Sequence, residues 1–214
     1  MQLGYIGTGT MGNPMAKALI EAGHSVTVFD VRRESATNLC EMGANWAESP
    51  QKLAEVSEVV FTSLPGPVET ENVLTAPDTG ILAGLKTGCT WIDTTTNSPT
   101  VIHHLADVCT KMGIKMLDCP VSGRIPNMTM MVGGDPEVFE QHRSVLETMG
   151  KDVIYVGGTG SGCTAKLVTQ YLGYSNFIAG VEGMIIGAKA GLDMDILAKL
   201  IPISASASGV MARS

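Results

Sequence analysis

A glycine-rich turn near the start of the chain limits the folds that this sequence can adopt. The segment Gly7-Thr8-Gly9-Thr10-Met11-Gly12 follows a short β-rich run, QLGYI, and opens a helical pattern that starts at about Met11. Asp30 stands 18 residues after Gly12, at the end of a second β-rich run, VTVFD. A strand, this turn, a helix and an acidic residue at this distance are typical of a dinucleotide-binding βαβ unit.

Each part of the turn has a physical role in binding a dinucleotide. Gly7 permits the tight turn, Gly9 lets the backbone approach a pyrophosphate, and Gly12 lets the helix pack closely on the strand. The helix N-terminus adds unpaired N–H groups and a positive dipole end. We therefore expect all six residues of the turn to contribute to cofactor binding: Gly7, Thr8, Gly9, Thr10, Met11 and Gly12.

Asp30 indicates which nicotinamide cofactor is used. A carboxylate at the end of the second strand accepts hydrogen bonds from the adenosine ribose hydroxyls and repels a 2′-phosphate, which favours NAD. Arg32 and Arg33 follow directly and could bind that phosphate, which leaves NADP open.

Alternating β-rich and helical patterns continue along most of the chain and predict an α/β fold. We expect a Rossmann-type, doubly wound, mainly parallel sheet over residues 1–158, with a loop around Pro77 and Gly80. A long helical pattern over residues 163–190 follows, and a second helix runs from Asp193 to Pro202. These helices predict that residues 159–214 open an all-α domain that is truncated here.

Composition excludes several classes of partner. The net charge is −7 and the basic residues are scattered, so nucleic acid is not an expected partner. Five cysteines without CxxC pairing predict neither a metal site nor a disulfide framework. No run approaches the roughly 20 apolar residues of a membrane span, so we expect no membrane partner. The N-terminus lacks a signal-peptide pattern, so we expect a cytoplasmic protein, or one in the mitochondrial matrix after removal of a presequence.

Further motifs follow the glycine-rich turn in a fixed order. They are SLP at 63–65, DTTTNSP at 93–99, DCPVSG at 118–123 and GSGCTAK at 160–166. In this order they closely resemble the β-hydroxyacid dehydrogenase family, which includes 3-hydroxyisobutyrate dehydrogenases, tartronate semialdehyde reductases and the related 6-phosphogluconate dehydrogenases. The resemblance covers essentially the whole chain.

The resemblance implies a role for particular residues. It implies that Leu64 and Pro65 lie along the dinucleotide and that Thr96 sits by the nicotinamide end. It also implies that Ser122 and Gly123 bind the substrate carboxylate and that Lys166 is the catalytic acid/base. The chemistry of the residue agrees, because burial and a neighbouring cationic nicotinamide both favour the neutral lysine that an alcohol oxidation requires.

Two departures from the family pattern concern the substrate. Arg124 stands where the family carries a second glycine, and the loop after it is shorter, so the pocket is altered and Arg124 adds a cation near the carboxylate site. Gln170, four residues after Lys166 on the same helix face, replaces the family's asparagine and lengthens the reach of the amide. Both residues are candidate substrate contacts.

The sequence therefore predicts an NAD(P)-dependent dehydrogenase of a small β-hydroxy acid, similar to 3-hydroxyisobutyrate, or of its semialdehyde. One alternative is a dinucleotide-binding or oligomerising relative that has lost catalysis, and another is an imine or sugar-phosphate dehydrogenase of the same superfamily. We also expect a homo-oligomer, because the long helix carries many apolar residues that need burial against a second subunit or further helices. These residues are Leu172, Phe177, Ile178, Ile185 and Ile186.

Overall fold

A computed structural model describes residues 1–204 of the 214-residue chain. One sheet contains all the strands of this part of the chain: β1 (Gln2–Ile6), β2 (Ser25–Phe29), β3 (Asn45–Trp46), β4 (Val59–Thr62), β5 (Thr90–Asp93), β6 (Lys115–Asp118), β7 (Val121–Ser122), β8 (Thr129–Gly134) and β9 (Asp152–Gly157). Their order is β3-β2-β1-β4-β5-β6-β8-β7, and β9 pairs with β8. Strands β1 to β6 are parallel, whereas β8 runs antiparallel to β6 and β7.

Helices connect the strands and cover the sheet. They are α1 (Gly12–Glu21), α2 (Thr37–Glu41), α3 (Pro50–Glu55), α4 (Pro67–Thr75), α5 (Ile81–Gly84), α6 (Pro99–Lys111), α7 (Pro136–Leu146), α8 (Ser161–Lys189) and α9 (Met194–Leu200). Short 3₁₀ turns lie at Arg33–Ala36 and Ile201–Ile203. The predicted fold class is confirmed: a doubly wound, mainly parallel sheet is followed by a long helix.

The segment between β4 and β5 differs from the prediction. Pro77 and Gly80 lie in a loop, as expected, but the loop is flanked by two helices that were not predicted, α4 and α5. Pro67 begins α4, because a proline at the first helical position loses no hydrogen bond and has a suitable φ. Gly80 lies between the two helices, where a Cβ would come 2.6 Å from the Ala76 carbonyl oxygen, so only glycine fits there.

The hydrophobic core lies on both faces of the sheet. All four residues of β4 are buried, as expected for a parallel strand covered on both sides. Tyr5 and Phe61 stack on one face with ring centroids 5.8 Å apart, whereas Val60 and Trp91 belong to the cluster on the other face. This packing holds the carboxyl ends of the central strands in fixed positions.

The chain divides into two compact units, which are residues 1–166 and the residues from Leu167 on. In the second unit, α9 begins at an N-cap, because the Asp193 carboxylate accepts hydrogen bonds from the N–H groups of Asp195 (2.8 Å) and Ile196 (3.1 Å). Among residues 1–204, no helix combines the length and the apolar content needed to cross a membrane.

Candidate functional site

The glycine-rich turn has the geometry that binding of a pyrophosphate requires. Gly7 has a φ of +88°, and a Cβ there would collide with the Ser63 carbonyl oxygen. A Cβ on Gly12 would collide with the Gly7 carbonyl oxygen, so α1 lies against the turn itself. A Cβ on Gly9 would meet no atom within 4 Å, so the backbone at Gly9 faces open space. The turn therefore exposes the backbone where a phosphate would approach.

A cavity of about 520 Å³ opens beside this turn. Its volume is in the range of small-molecule and cofactor sites. It brings together eight of the predicted residues: Gly7, Gly9, Thr10, Met11, Gly12, Asp30, Leu64 and Pro65. Arg32, whose relation to the cofactor the sequence left open, also lines it. Glu69 lines it too and was not predicted, because the sequence patterns did not indicate helix α4, which brings this residue to the cavity.

Asp30 is half-buried and fixed by backbone groups. Its Oδ2 accepts a hydrogen bond from the Thr8 N–H at 2.8 Å, and its Oδ1 accepts one from the Arg32 N–H at 2.9 Å. Thr8 itself is buried and does not line the cavity, and its hydroxyl shares a 2.7 Å hydrogen bond with that of Ser35. Asp30 thus ties the glycine-rich turn to the end of β2.

A buried carboxylate organises the loop after β5. Asp93 accepts hydrogen bonds from the Thr62 hydroxyl (2.8 Å), the Thr95 N–H (3.1 Å) and the Asn97 amide (3.1 Å). Burial raises the pKa of Asp93, and these hydrogen bonds oppose that rise. The Thr95 hydroxyl in turn accepts the Leu64 N–H at 3.0 Å, which joins this loop to the one after β4. Thr96 is exposed on the loop that Asp93 holds.

Lys166 lies in the first turns of α8 and is only 7% exposed. Burial lowers its pKa below the ordinary lysine value, because desolvation disfavours the ammonium form. The start of α8 is held by Asp118, the last residue of β6, which accepts the N–H groups of Gly160 (2.7 Å) and Cys163 (2.8 Å). The sequence analysis included Asp118 in a motif but gave it no role.

The predicted substrate residues lie outside the 520 Å³ cavity. Ser122 is the last residue of β7, and Gly123 after it has a φ of +82°. A Cβ on Gly123 would come 2.7 Å from the Asn127 carbonyl oxygen, so the turn requires glycine. Arg124 is exposed, and its carbonyl accepts the Asn127 N–H at 2.7 Å, which closes the shortened loop. Gln170 is half-buried on α8, in the second unit.

The fold and this cavity define a dinucleotide-binding protein of the Rossmann class. The family model described as the NAD binding domain of 6-phosphogluconate dehydrogenase matches residues 2–157. The chain is 37% identical to the mitochondrial 3-hydroxyisobutyrate dehydrogenase of Mus musculus over 207 residues, covering 94% of this chain and 62% of that protein. It is 35% identical to the 2-(hydroxymethyl)glutarate dehydrogenase of Eubacterium barkeri, covering 99% of this chain and 71% of that protein.

A solved structure agrees over nearly the whole chain. The 3-hydroxyisobutyrate dehydrogenase of Mycobacterium tuberculosis, determined with L-serine, has a TM-score of 0.90 and 28% identity, covering 98% of this chain and 72% of that chain. The chain belongs to the β-hydroxyacid dehydrogenase family and contains its NAD-binding domain. It spans 62% of the length of the mouse relative.

Proposed function

We propose that this chain forms the cofactor-binding and proton-transfer part of an NAD-dependent dehydrogenase that acts on a small β-hydroxy acid similar to 3-hydroxyisobutyrate. The observation that carries the proposal is a buried lysine with a lowered pKa, Lys166, at the start of the helix that follows an NAD-binding domain. The names of the mouse and Eubacterium relatives support the substrate class.

The cofactor would lie in the 520 Å³ cavity. The open backbone at Gly9 and the N-terminus of α1 would hold its pyrophosphate, and Asp30 would accept hydrogen bonds from the adenosine ribose. Leu64 and Pro65 would lie along it, with Thr96 at the nicotinamide end. A bound nicotinamide supplies the hydride acceptor for alcohol oxidation, or the donor for the reverse reaction.

Lys166 would move the proton. In its neutral form the amine accepts the hydroxyl proton of the substrate during oxidation, and as an ammonium group it returns that proton during reduction. Ser122 and Gly123 would hold the substrate carboxylate. Arg124, an exposed cation next to them in sequence, and the amide of Gln170 would add contacts that select among hydroxy acids.

We further propose that the dinucleotide-binding domain ends at residue 158 and that a helical domain opens at residue 159. A protein with this activity would work in the cytosol or, as the mouse relative's name suggests, in the mitochondrial matrix.

The decisive experiment replaces Lys166 with methionine, which keeps an unbranched side chain of similar length and removes the amine. We expect Lys166→Met to lower turnover of 3-hydroxyisobutyrate ~10²–10⁴-fold at saturating NAD, the usual loss for one general acid/base. NAD affinity should not change, because Lys166 does not line the cofactor cavity.

The matched control is Lys111→Met, which removes an exposed lysine at the end of α6. Full turnover in Lys166→Met would assign the proton transfer to another residue, and a loss of NAD affinity would assign Lys166 to cofactor binding. Absence of hydroxy-acid turnover in the wild-type full-length protein would favour the non-catalytic dinucleotide-binding alternative.

A further inference from the structure

A second buried carboxylate, that of Asp118, lies where β6 ends and α8 begins. Asp118 is fully buried, and its carboxylate oxygens accept the backbone N–H groups of Gly160 and Cys163. Both donors belong to the turn and first residues of α8, 42 and 45 positions further along the chain. An anion at a helix N-terminus is also stabilised by the helix dipole. Asp118 therefore binds the start of α8 to the end of β6.

Three glycines permit the contact between Asp118 and the start of α8. A Cβ on Gly133 would come 2.5 Å from the Asp118 Oδ1, and one on Gly162 would come 2.5 Å from the carbonyl oxygens of Asp118 and Met131. Gly160 has a φ of +82°, which aims its N–H at the carboxylate. The first turn of α8 thus rests directly on the backbone of β6 and β8, and it has no room to shift toward the sheet.

Lys166 lies less than one helical turn beyond Cys163, whose N–H is one of the two groups that Asp118 holds. A helix is stiff over this distance, so a displacement of its first turn carries Lys166 with it. Releasing the two N–H groups would let the helix start move away from the sheet and would expose Lys166, which is 7% exposed when the contact is made.

We propose that Asp118 is a positioning residue that fixes the first turn of α8 and thereby sets the place and the burial of the Lys166 amine. This inference rests on the proposed function, in which Lys166 transfers the proton. It predicts that Asp118 controls the catalytic step and the accessibility of one lysine, whereas a carboxylate that served only stability would control neither.

Asp93 is the matched control for Asp118. The two residues are register partners at the ends of β5 and β6, and both are fully buried. The donor at the Asp93 Oδ2 is the side-chain amide of Asn97, which can turn its oxygen toward a new NH₂, whereas each carboxylate oxygen of Asp118 faces a backbone N–H that cannot. In Asp118→Asn the new NH₂ would face an N–H, and that repulsion loosens the helix start.

The experiment compares Asp118→Asn with Asp93→Asn in the full-length protein. We expect Asp118→Asn to lower kcat by ~10²-fold, as a misplacement of about 1 Å does, with the NAD dissociation constant unchanged. An amine-reactive acylating reagent followed by mass spectrometry should label Lys166 several-fold faster in this variant. Asp93→Asn should leave the labelling rate of Lys166 at the wild-type value.

The labelling assay tests the positioning role of Asp118 separately from the proposed dehydrogenase function, because it measures the exposure of Lys166 whether or not the protein turns over a hydroxy acid. Wild-type labelling of Lys166 in Asp118→Asn would overturn the positioning role even if activity fell. Equal increases in both variants would also overturn it, because they would indicate general loosening of the domain. Absent wild-type turnover with faster labelling in Asp118→Asn alone would overturn the proposed function and leave the positioning role intact.

A second pair of variants tests the same contact if Asp118→Asn does not fold. Gly162→Ala would push the first turn of α8 off the Asp118 and Met131 carbonyls while the carboxylate remains. Gly158→Ala is its control in the same turn, because a Cβ at Gly158 meets no atom within 4 Å. Faster Lys166 labelling in Gly162→Ala but not in Gly158→Ala supports the proposal, and equal labelling in the two variants contradicts it.

Discussion

Asp30 both fixes the glycine-rich turn and contributes negative charge to the cavity beside that turn. Its carboxylate accepts two backbone N–H groups, so it stays in place at the end of β2 whether or not a ribose is bound. Each carboxylate oxygen retains further acceptor capacity for a ribose hydroxyl. Glu69 adds a second carboxylate to the cavity lining and Arg32 adds a cation. The cavity lining therefore holds two acidic side chains and one basic side chain. A 2′-phosphate would add negative charge to a site that is already acidic.

This balance predicts that the wild-type protein binds NAD(H) more tightly than NADP(H). In Asp30→Asn the repulsion of a 2′-phosphate falls while one acceptor for the backbone remains, so the preference for NAD(H) should shrink about tenfold, or roughly 1.4 kcal/mol. Fluorescence titration with NADH and NADPH measures both affinities. The exposed Asp78→Asn serves as the control. Equal wild-type affinities, or an unchanged ratio in Asp30→Asn, would contradict the role of this charge.

At the scale of elements, local signals in the sequence located most of the sheet and its helices. Helix α6 carries such signals at both ends, because Pro99 is its first residue and Gly113 follows shortly after its last. Helix α4 was missed because the prolines and glycines around residues 65–80 favour turns, and burial of Thr70 and Leu74 against the rest of the fold decides the outcome. Local pattern reasoning cannot detect such tertiary burial.

The candidate site was predictable to the extent that its residues are close together in sequence. The glycine-rich turn and Asp30 form one βαβ unit, so their spacing alone indicated a shared cavity. The hydrogen bonds of Asp118 join residues more than 40 positions apart, and nothing local specifies which N–H groups reach the carboxylate. The placement of Lys166 therefore emerges only from the folded chain.

The contact between α7 and β5 predicts how stability depends on pH. His142 on α7 is buried, and its Nε2 lies 2.8 Å from the Thr90 hydroxyl. Its Nδ1 has no hydrogen-bond partner within residues 1–204. Burial, with a smaller contribution from the charge of Lys115, lowers the pKa of His142 to about 4. The unfolded chain takes up a proton at this residue near pH 6.5, whereas the folded chain does so only near pH 4, so stability falls as the pH drops from 6.5 to 4.

We expect the free energy of unfolding to be highest above about pH 6.5 and to fall by up to about 1.4 kcal/mol per pH unit down to about pH 4, through His142 alone. His142→Gln should remove this part of the pH dependence, because glutamine does not titrate. Urea unfolding at a series of pH values measures the slope for wild type, His142→Gln and the exposed His104→Gln control. The same slope in wild type and His142→Gln would show that His142 is not the group responsible.

At the scale of the whole molecule, residues 167–204 expose more large apolar or aromatic side chains than residues 1–166 do, fourteen against eight. Helix α8 leaves ten large apolar or aromatic side chains between 43% and 71% exposed: Leu167, Val168, Tyr171, Leu172, Tyr174, Phe177, Ile178, Val181, Ile185 and Ile186. They cover a broad arc of the helix, about 220° wide at 3.6 residues per turn. Contiguous apolar surface of this extent is uncommon on monomeric proteins and typical of interaction surfaces.

We therefore expect the 214-residue chain to self-associate through α8. A glutamate in place of Ile178, which is 57% exposed, should weaken association because a charge would be buried in the contact. The matched control is Val56→Glu, at a position 56% exposed in the first unit. Sedimentation velocity over a range of concentrations should show dimers or larger species for wild type and Val56→Glu, and a shift toward monomer for Ile178→Glu. A stable wild-type monomer would contradict the expectation, and identical association of all three proteins would place the interface elsewhere.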